Sequence, residues 1–346
     1  MKEEVRLEKI TVPLIKWYQG NKRMLPWRNK KNPYYIWISE IMLQQTRIEA
    51  VKIYYERFIR EIPDVQTLAS IEEEKLLKLW EGLGYYSRAK NLKKAAMKIC
   101  EEYNGQMPKT YEELIKLPGI GEYTAGAIAS IAFNEKIPAV DGNVLRVISR
   151  IVGSLKDILL RETKKEVTVK LKQIMPKEPG DFNEGLMELG ERICIPNGEP
   201  LCKQCPIRNW CISYEKGLTN EIPVRVKKIK RKKEKRLVFI LQYQDRIAIR
   251  KRDEKGLLAG MYEFPNVLEN KNRDIGKILK GWNLQAIKVE NIGEAKHVFS
   301  HIEWEMIGWS IEVQEKNEEF LWVKKEDIFE KYAIPEAFRY YKNRIK

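Results

Sequence analysis

The sequence predicts a multidomain protein, with an all-α N-terminal half joined by a basic linker to a smaller C-terminal α+β domain. Three observations carry this. A chain of 346 residues exceeds what one ordinary core organises. Apolar residues recur at helical spacing up to about residue 215, then at the alternating spacing of strands beyond residue 236. Between them runs Lys227-Lys-Ile-Lys-Arg-Lys-Lys233, with little to bury, so residues 216–236 read as the linker.

In the first half, residues 34–55 read as one helix with Ile38, Ile41, Met42 and Ile48 as its buried stripe. Glu40 lies inside that apolar segment, between Trp37 and Gln44, and reads either as a surface glutamate of an amphipathic helix or as a carboxyl whose protonated form desolvation favours. Another helix begins near Ser87, carries Leu92, Ala96 and Ile99 on one face, and stops at Gly105. Thr110-Tyr-Glu-Glu113 has the capping-box pattern of a helix start, and Asp181-Phe-Asn-Glu184 repeats it. Leu117-Pro-Gly-Ile-Gly121 separates a short helix from a second one at 123–133. With glycines Gly119 and Gly121 in the turn, residues 110–133 read as a helix-hairpin-helix, which grips a DNA phosphate through backbone amides without reading sequence. Asp141, in Val140-Asp-Gly-Asn143, opens a helix carrying Val144, Leu145, Ile148 and Ile151 and is read as its N-cap. A carboxylate held ionised by those amides can also face a developing cation.

The C-terminal domain is placed at residues 237–346. Strands at 237–243 and 246–250 form a hairpin around Gln244-Asp245, and further strands are expected at 261–264, 287–298, 303–313 and 320–323. Short helices at 274–280 and 335–343 complete it.

Charge points to a polyanionic partner. There are 64 basic against 49 acidic residues, a net charge of +15, and cations that neutralise phosphates release counterions. No apolar run is long enough to span a membrane, and Met1–Arg6 lacks an apolar signal core. The expected location is the cytoplasm, with nucleoid association through DNA, where cysteines stay reduced. Four of the five cysteines, Cys194, Cys202, Cys205 and Cys211, are spaced C-x7-C-x2-C-x5-C and read as metal ligands.

Taken together, Leu117–Gly121, Asp141 and the four cysteines resemble the endonuclease III superfamily of DNA glycosylases. Ser39-Glu-Ile-Met-Leu-Gln-Gln-Thr46 and Trp80-Glu-Gly-Leu-Gly-Tyr-Tyr86 look like the MutY-type adenine DNA glycosylases in particular. The resemblance implies an all-α helix-hairpin-helix glycosylase domain with an iron–sulfur cluster loop, holding a [4Fe–4S] cluster on the four cysteines. A single C-x2-C knuckle agrees, since zinc ribbons have two. The first interval, Ile195–Leu201, is one residue longer than the family commonly shows, in a loop that Asn197-Gly198 and Pro200 make able to absorb it.

By the same resemblance Glu40 protonates adenine at N7, and Asp141 stabilises the oxocarbenium-like sugar or briefly traps it. Tyr123 stands where lyase-competent relatives carry the lysine that forms a Schiff base, which implies a monofunctional enzyme. Gln45 and Tyr85 look like the residues that wedge into the duplex. Arg28 and Asn143 look like the lining of the adenine pocket and the holders of its water. Gly256–Pro265 and His297-Val-Phe-Ser-His301 look like the family's Nudix-like C-terminal domain, here without the paired glutamates that would hold magnesium. Phe299 would stack, Ser300 would bond the edge of 8-oxoguanine, and His301 would support the loop. The implied substrate is double-stranded DNA with an A·8-oxoguanine or A·G mispair, bound by a monomer. Two rivals remain at this point. A thymine glycosylase for G·T mispairs leaves residues 237–346 without a purpose, and a non-enzymatic DNA-binding cluster protein gives no reason for Glu40 and Asp141.

Overall fold

Among the residues that the computed structural model describes (3–28, 31–226, 230–269 and 274–345), α-helices fill the N-terminal half and the first named strand starts at Lys232. The helices are α1 (Glu3–Asn21), α2 (Pro33–Leu43), α3 (Ile48–Glu61), α4 (Val65–Ser70), α5 (Glu73–Leu79), α6 (Ser87–Tyr103), α7 (Tyr111–Leu114), α8 (Glu122–Phe133), α9 (Gly142–Val152), α10 (Arg161–Gln173), α11 (Pro179–Arg192) and α12 (Ile212–Glu215). The chain divides into two compact units: Met1–Ser70 with Asn91–Lys227, and Ile71–Lys90 with Lys228–Lys346.

In the first unit, Leu7, Ile10 and Leu14 of α1 pack with Val144, Ile148 and Ile151 of α9 and with Phe182, Leu186 and Leu189 of α11. Each such side chain contributes about 1.5–3 kcal/mol by leaving water. Helix α2 is buried on nearly every side, through Tyr34, Ile36, Trp37, Ile38, Ile41 and Met42. Its start is set by Asn32, whose side chain accepts from the Tyr34 and Tyr35 amides, and by Pro33 in the first turn.

Residues 34–55 do not form the single helix the apolar spacing predicts. Helix α2 ends at Leu43 and α3 starts at Ile48, because Gln45 takes a left-handed φ of 59° and Arg47 is extended. The apolar period continues across the break, so it conceals it. The Asp181 capping box is also corrected. Helix α11 starts at Pro179, three residues before the start that an N-cap at Asp181 implies, its N-cap Glu178 makes no side-chain capping bond, and Asp181 instead accepts from Gln19 Nε2 at 2.9 Å.

In the second unit the strands are β1 (Lys232–Tyr243), β2 (Arg246–Lys251), β3 (Tyr262–Glu263), β4 (Asn266–Leu268), β5 (Ala286–Val298), β6 (Ile302–Val313) and β7 (Leu321–Lys324). They form one sheet in the order β3-β2-β1-β6-β5, with β4 on β1 and β7 on β2. The central pair β1–β6 is parallel, from Lys232↔Ile302 to Gln242↔Glu312, and the β1–β2 hairpin closes at Tyr243↔Arg246. Helices α13 (Ile275–Gly281), α14 (Lys325–Glu330) and α15 (Arg339–Lys342) complete the unit. Leu237, Phe239 and Leu241 of β1 join Leu279 of α13 in one core, and Val238 and Ile240 join Phe338 and Tyr341 in another. Both faces are therefore covered, which is why Leu237–Leu241 reads as an unbroken apolar run.

The linker is shorter than the basic run suggests. Residues 232–236 already belong to β1, where Glu234 pairs with Lys232 and with Arg236, each at 3.0 Å, and residues 227–229 lie outside the described ones. The segment Ile71–Lys90 joins the second unit through polar ties. Tyr262 Oη donates to Glu74 at 2.7 Å, Lys78 Nζ to the Tyr332 carbonyl at 3.0 Å, and Lys342 pairs with Glu81 at 2.7 Å.

Candidate active site

A cavity of about 610 Å³ opens in the first unit, within the usual range of about 300–1,000 Å³ for small-molecule sites. Arg28, Glu40, Gln45, Gly121, Tyr123, Asp141 and Asn143 all line it.

The hairpin positions Tyr123. Thr110 caps α7, accepting from the Glu113 amide at 3.3 Å and donating to the Glu113 carboxylate at 2.9 Å. Leu117 is buried beneath the turn. Gly119 has φ 78°, and a Cβ there would lie 2.6 Å from Asn91 Cβ, so only glycine fits. Gly121 then starts α8, and Tyr123 in its first turn donates to Glu40 Oε2 at 2.5 Å.

Glu40 is 7% exposed. Burial raises its pKa from the ordinary 4.5 to about 7; the Tyr123 hydrogen bond opposes the rise, and the neighbouring Glu184 and Asp141 carboxylates add to it. Burial likewise holds the Tyr123 phenol well above its ordinary value, so it stays a neutral donor.

Asp141 is the N-cap of α9, with Oδ1 accepting from the Val144 amide at 2.8 Å. Its Oδ2 accepts from Asn143 Nδ2 at 2.8 Å. Burial pushes its pKa up, while these two donors pull it back toward the ionised form. Asn143 Oδ1 accepts in turn from Arg146 Nη2 at 2.8 Å, and buried Arg146 also donates to the Gly190 and Cys194 carbonyls, each at 2.8 Å. One hydrogen-bonded chain thus links Asp141 to the start of the cysteine segment.

Arg28, on the 3-10 turn Pro26–Arg28, pairs with Glu184 at 2.9 Å and Glu188 at 3.0 Å. Arg23 pairs with Glu188 at 2.6 Å and Glu191 at 2.5 Å. Burial raises the Glu188 carboxyl, but Arg23 and Arg28 outweigh it and hold the group below its ordinary value. Sequence reasoning missed Arg23, Glu188 and Glu191, and took Glu184 for part of a cap. The available signal was the i, i+4, i+7 spacing of the three glutamates along α11.

Gln44 and Gln45 occupy the break between α2 and α3. Gln44 Nε2 donates to Thr124 Oγ1 at 3.4 Å, and Gln45 is exposed.

The other predicted recognition residues lie in the second unit. The β5–β6 turn holds Phe299, Ser300 and His301, closed by the Phe299 amide on the Ile302 carbonyl at 2.8 Å. The Phe299 ring is half-buried, with its centroid 4.6 Å from that of His297 and 4.9 Å from that of Trp304; Ser300 and His301 are exposed. Tyr85 Oη lies 2.8 Å from Ser300 Oγ.

Cys194, Cys202, Cys205 and Cys211 line one small cavity with Arg150, Ile193, Pro200 and Ile207. Arg150 Nη1 donates to Cys194 Sγ at 3.2 Å. Burial pushes the Cys205 thiol up to about 12 and the Cys211 thiol up to about 11. Among the described residues, no three His, Cys, Asp or Glu side chains converge as the ligands of a single metal ion would. The long first interval closes with the Leu201 amide on the Ile193 carbonyl at 2.9 Å, and Gly198 within it takes a φ of 77°.

Residues 38–177 match the HhH-GPD superfamily of base excision DNA repair proteins, and residues 237–344 match the NUDIX domain. An adenine DNA glycosylase of Mus musculus is 36% identical, over 84% of this chain and 68% of that protein. One from Buchnera aphidicola subsp. Baizongia pistaciae is 37% identical, over 84% of this chain and 82% of that protein. Among solved structures, a thermostable thymine-DNA glycosylase is 29% identical with a TM-score of 0.56, covering 61% of this chain and 97% of its own. An endonuclease III in a non-covalent DNA complex shares the fold, at 24% identity and a TM-score of 0.53, over 63% of this chain and 99% of its own. No described helix is long and apolar enough to cross a membrane.

Proposed function

The chain belongs to the adenine DNA glycosylase family and is a DNA N-glycosylase, and from that premise we propose that it excises adenine mispaired with 8-oxoguanine, and with guanine, by base flipping and acid-assisted hydrolysis. One observation supports this above the rest. A buried carboxyl at Glu40, raised to about 7, shares a cavity with a second carboxyl at Asp141 that is held by hydrogen-bond donors.

The adenine is out of reach within the stack, so its nucleotide must leave the duplex. The exposed Gln45 at the α2–α3 break supplies a side chain to occupy the gap. Glu40, partly protonated near neutral pH, gives its proton to N7 of the base. The C1′–N9 bond breaks, its electron pair departs with adenine, and positive charge collects on the sugar. The Asp141 carboxylate stabilises that charge, by its field or by a transient bond to C1′. Water held by Asn143 then adds its hydroxyl to C1′, and its proton returns to Glu40. Arg28 completes the pocket wall. Tyr123 carries no amine to form a Schiff base, so the reaction ends with the strand uncut.

The hairpin turn Leu117–Gly121 and the amides at the start of α8 suit a DNA phosphate. In the second unit the exposed Ser300 bonds the edge of the oxidised base, Phe299 stacks against it and His301 supports the loop. The four cysteines suit a [4Fe–4S] cluster: they line one small cavity, and their single C-x2-C knuckle is not the two-knuckle pattern of a zinc ribbon. Bound there, the cluster would order the loop that carries Lys203 and Arg208.

The test is single-turnover base release from duplexes with A opposite 8-oxoguanine, A opposite G, and T opposite G. Fastest release of adenine opposite 8-oxoguanine is expected. Preferred release of thymine would refute the assignment.

A further inference from the structure

Residues 82–85 form a turn in which three of four positions are left-handed: Gly82 at φ 102°, Gly84 at 68° and Tyr85 at 46°. Glycine takes this conformation freely, but tyrosine does not, so its surroundings must hold Tyr85 there. Arg88, in the first turn of α6, is 8% exposed and directs its guanidinium back onto the turn. Its Nη2 donates to the Leu83 carbonyl at 2.8 Å and the Gly84 carbonyl at 3.0 Å. Trp80 Nε1 shares the Gly84 carbonyl at 3.1 Å. The same guanidinium lies 5.4 Å from the Trp80 ring centroid and 5.6 Å from that of Tyr85, within cation–π reach of both. Burial lowers its pKa to about 10, so it stays charged at neutral pH. Tyr85 is nonetheless 46% exposed, with its hydroxyl 2.8 Å from Ser300 Oγ. Both carbonyl bonds come from the one Nη2, and the delocalised guanidinium reaches the two rings at the same time, a combination that the compact ammonium of lysine reproduces only in part.

We propose that Arg88 is a positioning residue for lesion discrimination: it clamps the Leu83 and Gly84 carbonyls and backs the Tyr85 ring, so that Tyr85 and Ser300 are presented to the 8-oxoguanine strand as one reader. Arg88 touches no reacting atom and acts through Tyr85. The inference rests on the 8-oxoguanine reading above.

The full-length protein and four variants, Arg88→Met, Arg88→Lys, Tyr85→Ala and the double Tyr85→Ala/Arg88→Met, are compared in one measurement. It is the ratio of single-turnover base-release rates on A·8-oxoguanine and A·G duplexes. Arg88→Met is expected to lower the ratio about tenfold, the scale of coupling between neighbouring groups. Arg88→Lys should fall between it and wild type. The double variant should be no lower than Tyr85→Ala, because Arg88 has nothing left to position. A wild-type ratio in Arg88→Met overturns the proposal, as do losses that multiply in the double variant. Should Arg88→Met fail to fold, Arg88→Lys decides: a several-fold drop supports the proposal and an unchanged ratio overturns it. A wild-type protein with no preference between the two duplexes removes the 8-oxoguanine reading itself, and this inference with it.

Discussion

Replacing Glu40 with Gln separates the cost of burying the acid from its use. The carboxyl has an ordinary pKa of 4.5 when the chain is unfolded and about 7 in the fold. Below the lower value it is protonated in both states and its effect on stability vanishes. As pH rises, the unfolded chain ionises while the native state keeps its proton, so native stability falls, and the loss is complete above the higher value. At about 1.4 kcal/mol per pKa unit the full loss is about 3 kcal/mol, an upper figure because relaxation and water entry soften burial. Gln keeps the shape and still accepts from Tyr123. Glu40→Gln is therefore expected to unfold at higher urea than wild type at pH about 8, by about 1–3 kcal/mol, and to match it near pH 4. Base release should meanwhile fall at least about 100-fold, with binding to mismatched duplex retained. Equal stability at the higher pH would mean the carboxyl is not desolvated. Normal base release would mean that it is not the acid.

Tyr123→Phe removes the donor that opposes burial at Glu40, so the Glu40 pKa should rise further, by about one to two units, given about 1.5–3 kcal/mol for a hydrogen bond to a charged group. The alkaline limb of the kcat/KM profile for base release should move to higher pH, and a limb that stays or moves down contradicts the assignment. Asp141→Asn should separate capping from catalysis. Asn caps helices as well as Asp does, so unfolding free energy should change by no more than about 1 kcal/mol, while base release falls about 100- to 1,000-fold. For the cysteines, wild-type protein should contain about four iron atoms per chain, and Cys205→Ser should lose most of them and unfold at lower temperature. Zinc in place of iron would refute the cluster.

The sequence was most legible where one residue type has one use. Gly119 is readable because Leu117-Pro-Gly-Ile-Gly121 punctuates two helices, and its positive φ and the nearby Asn91 give the reason that a side chain is excluded there. Asp141 is readable because a cap precedes an apolar helix. The roles of Glu40 and Ser300 came from resemblance, since a buried Glu and an exposed Ser carry no local signature. The α2–α3 break was hidden because Ile48 resumes the apolar period after the turn. The Arg23–Arg28 cluster with Glu184, Glu188 and Glu191 was hidden for another reason. Surface helices carry the same charges, and only the fold turns this stripe into the wall of a cavity.

The grouping of Ile71–Lys90 with the C-terminal strands changes what a truncation can show. Deleting residues 232–345 removes Ser300, but also Tyr262, Tyr332 and Lys342, which tie down Glu74, Lys78 and Glu81. Exposed ion pairs contribute only about 0–1 kcal/mol each. Lys342 and Glu81, however, have side chains only 13% and 19% exposed, so removing the lysine leaves a sheltered carboxylate with fewer partners. A truncated protein that loses preference for 8-oxoguanine has therefore lost both the loop proposed to read the base and the ties that hold residues 74–81. Ser300→Ala isolates the first effect. Amide exchange isolates the second: in the truncated chain, residues 73–90 should exchange faster while α8 stays protected. Unchanged protection across 73–90 would show that this segment holds its own shape, and the loss of preference would then belong to the missing loop alone.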